Sequence, residues 1–153
     1  MIEIRPARQD DAQVIQALLA RLGYEMSIET VSVRLGQLAE SQNNPVLIAS
    51  DPGDVLGLMA MHWSQMLHAR RPVARITTLV VRYAARERGV GRELIDHGAE
   101  LARRAGCEIL EVTTALHRTD AQTFYRSVGF TASSLRLHRS LIYEGLPRVD
   151  GTD

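Results

Sequence analysis

The sequence has no lysine: all 18 of its basic residues are arginine, matched by 18 acidic residues for a net charge of zero. That balance argues against nucleic acid or an anionic membrane as the default partner, because both attract a basic excess. Cysteine occurs once, so no intrachain disulfide can form, which suits a reducing compartment. Cys107 lies between Gly106 and an apolar run and reads as a small core residue rather than a nucleophile. No apolar run approaches the ~20 residues of a membrane span. The opening Met1-Ile2-Glu3-Ile4-Arg5 lacks the features of a signal peptide, and a cytoplasmic location is the expectation. The five histidines are scattered without ligand spacing, so no metal is expected. Repeats, low-complexity tracts and linkers are also missing.

What remains is a chain of 153 residues, 45% hydrophobic and 24% charged, the size and balance of one globular domain over residues 1–153. Ile2 to Arg5 reads as a short strand closed by Pro6. Val14, Ile15, Leu18, Leu19 and Leu22 share one helical face, with Gly23 as the stop. A second helix is expected over Ser27 to Ser41. Val46–Ser50 and Val55–Trp63 form a hairpin around Asp51-Pro52-Gly53-Asp54. Ala74 to Arg82 is a long strand, aliphatic or β-branched from Ile76 to Val81, as a buried central strand should be. A helix with an apolar stripe runs from Val90 to Ala105, and Glu108 to Thr114 is the next strand. Thr119 or Asp120 caps a short helix ending at Gly129, and one or two final strands fall within Phe130 to Ile142. The fold class is therefore α+β: a mixed, mostly antiparallel sheet of six to seven strands, flanked by about four helices on both faces.

Between the long strand and the long helix lies Arg82-Tyr83-Ala84-Ala85-Arg86-Glu87-Arg88-Gly89-Val90-Gly91-Arg92. A strand runs into a turn that opens a helix, with two glycines in the turn and arginines around it. The first N–H groups of a helix lack internal partners, and the helix dipole adds positive potential there. Glycines let the backbone approach a bulky anion. The combination describes a phosphate site. It is neither a GxGxxG dinucleotide fingerprint nor a Walker loop.

The spacing resembles the R/Q-x-x-G-x-G/A motif of the GNAT superfamily of N-acetyltransferases. About thirty residues on, Ala121-Gln122-Thr123-Phe124-Tyr125-Arg126-Ser127-Val128-Gly129-Phe130 is similar to the family's second signature, A-x-x-F-Y-x-x-x-G-F. The likeness is specific over Ile76 to Phe130 and looser before it. It implies acetyl-CoA as co-substrate, with the pyrophosphate held by the turn (Arg86, Glu87, Arg88, Gly89, Val90, Gly91 and Arg92). The pantetheine arm would lie along Leu79, Val80 and Val81, where the strands splay between Val80 and Val112. It also implies that Tyr125 is the general acid that protonates the departing CoA thiolate. Many relatives carry Asn where this chain has Arg118, which would instead reach the CoA phosphates or an acidic substrate.

The base that takes the amine proton is open between Glu111, His62 and His117. Phe124, Phe130, Met59 and Met61 read as core. The resemblance implies direct transfer of an acetyl group to a primary amine, with a small molecule as the default acceptor and a protein amine as the runner-up. A non-catalytic CoA-binding sensor is the alternative of another class. Dimerisation is common in the family, and an exposed final strand near Leu135 to Ile142 would serve a homodimer.

Overall fold

β1 (Glu3–Pro6) lies at the edge of the sheet, which is what lets a proline stand in it. Pro6 is the last residue of the strand and pairs with Leu47, and the Ala7 N–H continues the contact to the Val46 carbonyl at 2.8 Å. A computed structural model describes residues 1–142, and they fall in two compact units, divided after Val112. Each unit is taken by itself below.

In the first unit α1 (Ala12–Arg21) and α2 (Ile28–Ala39) follow β1. Ser27 caps α2, its hydroxyl accepting from the Thr30 N–H at 3.1 Å, so the helix starts one residue inside the expected boundary. β2 (Val46–Asp51) and β3 (Asp54–Ser64) form the hairpin closed by Pro52-Gly53. β4 (Val73–Val81), α3 (Val90–Arg104) and β5 (Ile109–Val112) complete the unit. The strand order is β1-β2-β3-β4-β5, antiparallel except for the parallel β4–β5 pair.

The sheet buries both faces. On one, Ile48, Leu58 and Val80 pack with Ala12, Ile15 and Leu18 of α1 and Val31 of α2. On the other, α3 presents Val90, Leu94, Ile95 and Ala102, all buried, as its apolar stripe predicts. Met59 and Met61 point at Gly98 of α3, where a Cβ would stand 2.4 and 2.8 Å from their thioether ends. They are core residues, each contributing the roughly 1.5–3 kcal/mol of a buried large aliphatic side chain.

The second unit contains α4 (Thr119–Ser127). Arg118 occupies the N-cap without a side-chain cap bond, so neither Thr119 nor Asp120 caps the helix. The Thr119 carbonyl instead accepts from the Thr123 hydroxyl at 2.9 Å. The expected strand count is too high: the described residues form five strands, and none lies between Phe130 and Ile142. A strand needs a hydrogen-bonded neighbour, and no ladder engages this segment among the described residues, where Leu135, Leu137 and Leu141 are exposed.

Candidate functional site

The β4–β5 ladder is short. Val73, Ala74, Arg75 and Ile76 pair with Ile109, Leu110, Glu111 and Val112, and there the pairing ends. β4 continues to Val81 against β3 alone, so Leu79, Val80 and Val81 have no partner strand on the β5 side among the described residues. The ladder thus stops four residues short of Val80, where the resemblance implies a separation of the strands. That leaves an open strand edge able to hydrogen-bond an extended ligand as if it were another strand.

A bulge marks the same place. Met61 pairs with Ile76 and Ala60 with Thr78, leaving Thr77 as the extra residue, with its hydroxyl donating to the Ala60 carbonyl at 3.2 Å. The unbroken aliphatic and β-branched run gives no hint of it in the sequence.

β4 leads into the turn. Ala85 is buried and anchors it. Glu87 and Gly89 both take left-handed backbone angles, φ 69° and φ 80°. Gly89 is the N-cap of α3, and the first helical bond runs from the Glu93 N–H to the Gly89 carbonyl at 3.0 Å. The amides of Val90 and Gly91 precede that bond, at the positive end of the helix dipole. Left-handed angles two residues apart let the chain turn sharply into the helix, whose first amides have no intrahelical partner.

The arginines of the segment are engaged locally. Arg82 donates to the Asp54 carboxylate and to the Val55 carbonyl, and Arg88 donates to Asp51 at 2.9 Å. The Arg86 guanidinium lies 5.3 Å from the Tyr83 ring centroid. Arg92 is exposed on the first turn of α3. Gly57 holds the site from beneath. A Cβ there would stand 3.0 Å from the Val80 carbonyl oxygen and 3.1 Å from the Val90 side chain. The sequence reading assigned Gly57 no role, because close backbone approach leaves no periodic signal.

Two candidate bases belong to one row. His62, Arg75 and Glu111 are register partners across β3, β4 and β5, so they share a face of the sheet. It is the face opposite α3, since His62 alternates with Met61. Arg75 donates through Nε and Nη2 to the same Glu111 oxygen, Oε1, at 2.9 and 2.6 Å. Glu111 therefore stands beside the end of the ladder with its carboxylate in an ion pair. The sequence reading did not anticipate Arg75, whose role appears only when β4 and β5 are brought into register.

In the second unit, the Tyr125 ring lies 5.4 Å from Phe124 and 5.6 Å, edge-on, from Phe130. The Phe130 N–H closes the helix end by returning to the Tyr125 carbonyl at 3.0 Å. Burial pushes the Tyr125 phenol above its ordinary range, with the Arg118 charge pulling weakly the other way. Arg118 itself is exposed, 4.0 Å from Asp120, and His117 is exposed. Cys107 is buried, and burial raises its thiol, so it stays protonated at neutral pH. Among the described residues no three His, Cys, Asp or Glu side chains converge as a metal site, and no helix is long and apolar enough to cross a membrane.

Residues 13–130 match the model of the acetyltransferase (GNAT) family. The chain belongs to that family. A curated GNAT-type relative, the aminoalkylphosphonate N-acetyltransferase of Salmonella typhimurium, is 30% identical over 141 residues, covering 91% of each chain. Among solved structures, a transcriptional regulator from Bacillus halodurans C-125 superposes with a TM-score of 0.84 at 25% identity, over 92% of this chain and all of that one. The aminoglycoside N-acetyltransferase AAC(6')-Iy in complex with CoA gives a TM-score of 0.81 at 17% identity, over 93% and 96% of the two chains. Family membership makes the protein an acyltransferase, with N-acetyltransferases of small molecules among its relatives.

Proposed function

We propose that the protein transfers an acetyl group from acetyl-CoA directly to a primary amine of a small molecule, with donor and acceptor bound together in one domain. The observation that carries the reading is the open edge of β4 running into the left-handed turn at Glu87 to Gly89 and the unpaired first amides of α3. The turn amides, with Arg86, Arg88 and Arg92 around them, hold the pyrophosphate. Arg118 adds a cation for the CoA phosphates. The edge at Leu79, Val80 and Val81 pairs with the pantetheine arm, and one of its N–H groups polarises the thioester carbonyl. The amine nitrogen attacks the carbonyl carbon, the C–N bond forms, and the C–S bond breaks as the tetrahedral centre collapses. Tyr125 gives its proton to the departing sulfur, since its buried phenol keeps that proton at neutral pH. The proton of the amine leaves to a base or to water. A thiol as buried as Cys107 suits this one-step route better than an acyl-enzyme.

A cytoplasmic location belongs to this reading, and the single cysteine suits a reducing compartment. A homodimer is the assembly we expect by analogy with the family. Thermal shift with acetyl-CoA, CoA and ATP tests the donor site: selective stabilisation by the two CoA species is expected, and none would sink the reading. Release of free CoA thiol across a panel of small amines tests the reaction. Turnover only with peptide amines would move the acceptor to protein. CoA binding without any turnover would mark a sensor, a role to which the regulator-named neighbour gives some weight.

A further inference from the structure

The Arg75–Glu111 pair sits one register step before the ladder between β4 and β5 ends, and its only charged or titratable register neighbour is His62 on β3. β4 carries no carboxylate anywhere from Val73 to Val81, so Glu111 is the acid that β4 and β5 place beside the opening. Its charge is matched by a guanidinium whose two donors converge on one oxygen. Both side chains remain partly open to solvent, 40% and 42%. A pair that exposed contributes little to stability, so a better anion can displace the carboxylate at small cost. A guanidinium fork suits a phosphonate, phosphate or carboxylate with two oxygens to offer.

We propose that the acceptor is an amine carrying an acidic group, and that Arg75 binds that group. This inference rests on the acetyl-transfer reading for the place of the thioester. Leu79, the nearest residue of the edge that holds the thioester in that reading, lies four residues beyond Arg75, roughly 13 Å along the strand. The length of the arginine side chain and a linker of a few carbons bridge that distance. The incoming anion replaces Glu111 on the guanidinium, and the released carboxylate accepts the proton that the amine loses as its nitrogen bonds to the acetyl carbon. Glu111 thus becomes a base only when the correct acceptor is bound. The Salmonella relative, whose acceptors are aminoalkylphosphonates by name, has the chemistry this site predicts.

The test compares 2-aminoethylphosphonate with 2-aminoethanol, which matches it in length and lacks the anion. The wild-type enzyme should favour the phosphonate in kcat/KM. Arg75→Gln should raise KM for the phosphonate at least tenfold, and by a much smaller factor for aminoethanol. Arg75→Lys keeps the charge without the fork and should fall between them. Glu111→Gln should lower kcat for the phosphonate with KM little changed. Calorimetric titration of the phosphonate into the CoA-loaded wild type and Arg75→Gln reads the same contact without turnover. If the wild type binds the phosphonate no better than aminoethanol, or if Arg75→Gln affects both amines equally, the proposal is overturned. Failure of the acetyl-transfer reading looks different: no CoA stabilisation, or no turnover with any amine.

Discussion

The Arg88 guanidinium meets the Asp51 carboxylate at 2.9 Å and so ties the turn before α3 to the hairpin between β2 and β3. Arg88 and the N-terminal amine hold the Asp51 carboxyl below its usual range. Arg88 thus fixes the loop that presents the amides.

Breaking this tie should loosen the turn without unfolding the protein. Asp51→Asn should leave the melting temperature nearly unchanged, because the pair is exposed. It should weaken CoA binding severalfold by calorimetry. Unchanged CoA affinity would reassign Arg88 and Asp51 to the surface.

The two left-handed residues of the turn should respond in opposite directions. Gly89→Ala places a Cβ in a conformation that costs about 1–2 kcal/mol. Glu87→Gly removes that same strain and should raise stability by up to about 1 kcal/mol, less what the freer unfolded chain takes back. Urea denaturation of both variants measures each sign.

Asp11 gives stability a defined pH dependence. It is buried (7% exposed) and accepts from Arg5 at 2.8 and 2.9 Å and from the Arg8 N–H at 2.7 Å. The Arg5 hydrogen bonds, opposed by burial, hold its carboxyl below the ordinary range. Its folded value lies under its unfolded one, so its contribution is complete above the unfolded value and is lost as pH falls through the folded one. Asp11→Asn should cost on the order of 3 kcal/mol at neutral pH and flatten the acid limb of the stability curve. An acid limb as steep as the wild type's would mean other carboxylates dominate.

Tyr125→Phe should lower kcat by about 10²–10⁴ while leaving CoA affinity intact. Because burial raises the phenol, the alkaline fall in wild-type activity should come above the ordinary value near 10. Full activity in the phenylalanine variant would leave Tyr125 a packing residue, as its contacts with Phe124 and Phe130 alone would suggest.

The elements best read from sequence are those with a strong local cause. The α3 stripe, the Asp51–Asp54 turn and the glycine at the start of α3 each act within a few residues, and the helices and hairpin fall where these signals put them. Pairings across the sheet left no such trace. Nothing near Glu111 in the chain announces Arg75, and the bulge at Thr77 sits inside a uniform run of β-formers. The strands expected after Phe130 show the opposite error, since alternating leucines suggest a strand but cannot supply its neighbour. Gly57 was overlooked because its role is set by the Val80 carbonyl and the Val90 side chain, 23 and 33 positions away.

The extra residue at Thr77 works as a phase shift. Arg75 and Thr78 are an odd number of positions apart, yet both align with same-face residues of β3, His62 and Ala60. In a regular strand they would point in opposite directions. Deleting Thr77 would therefore do more than shorten β4. It would rotate the outgoing half against the incoming half and exchange the faces of Leu79 and Val80, so the length of β4 is as much a part of its design as its side chains.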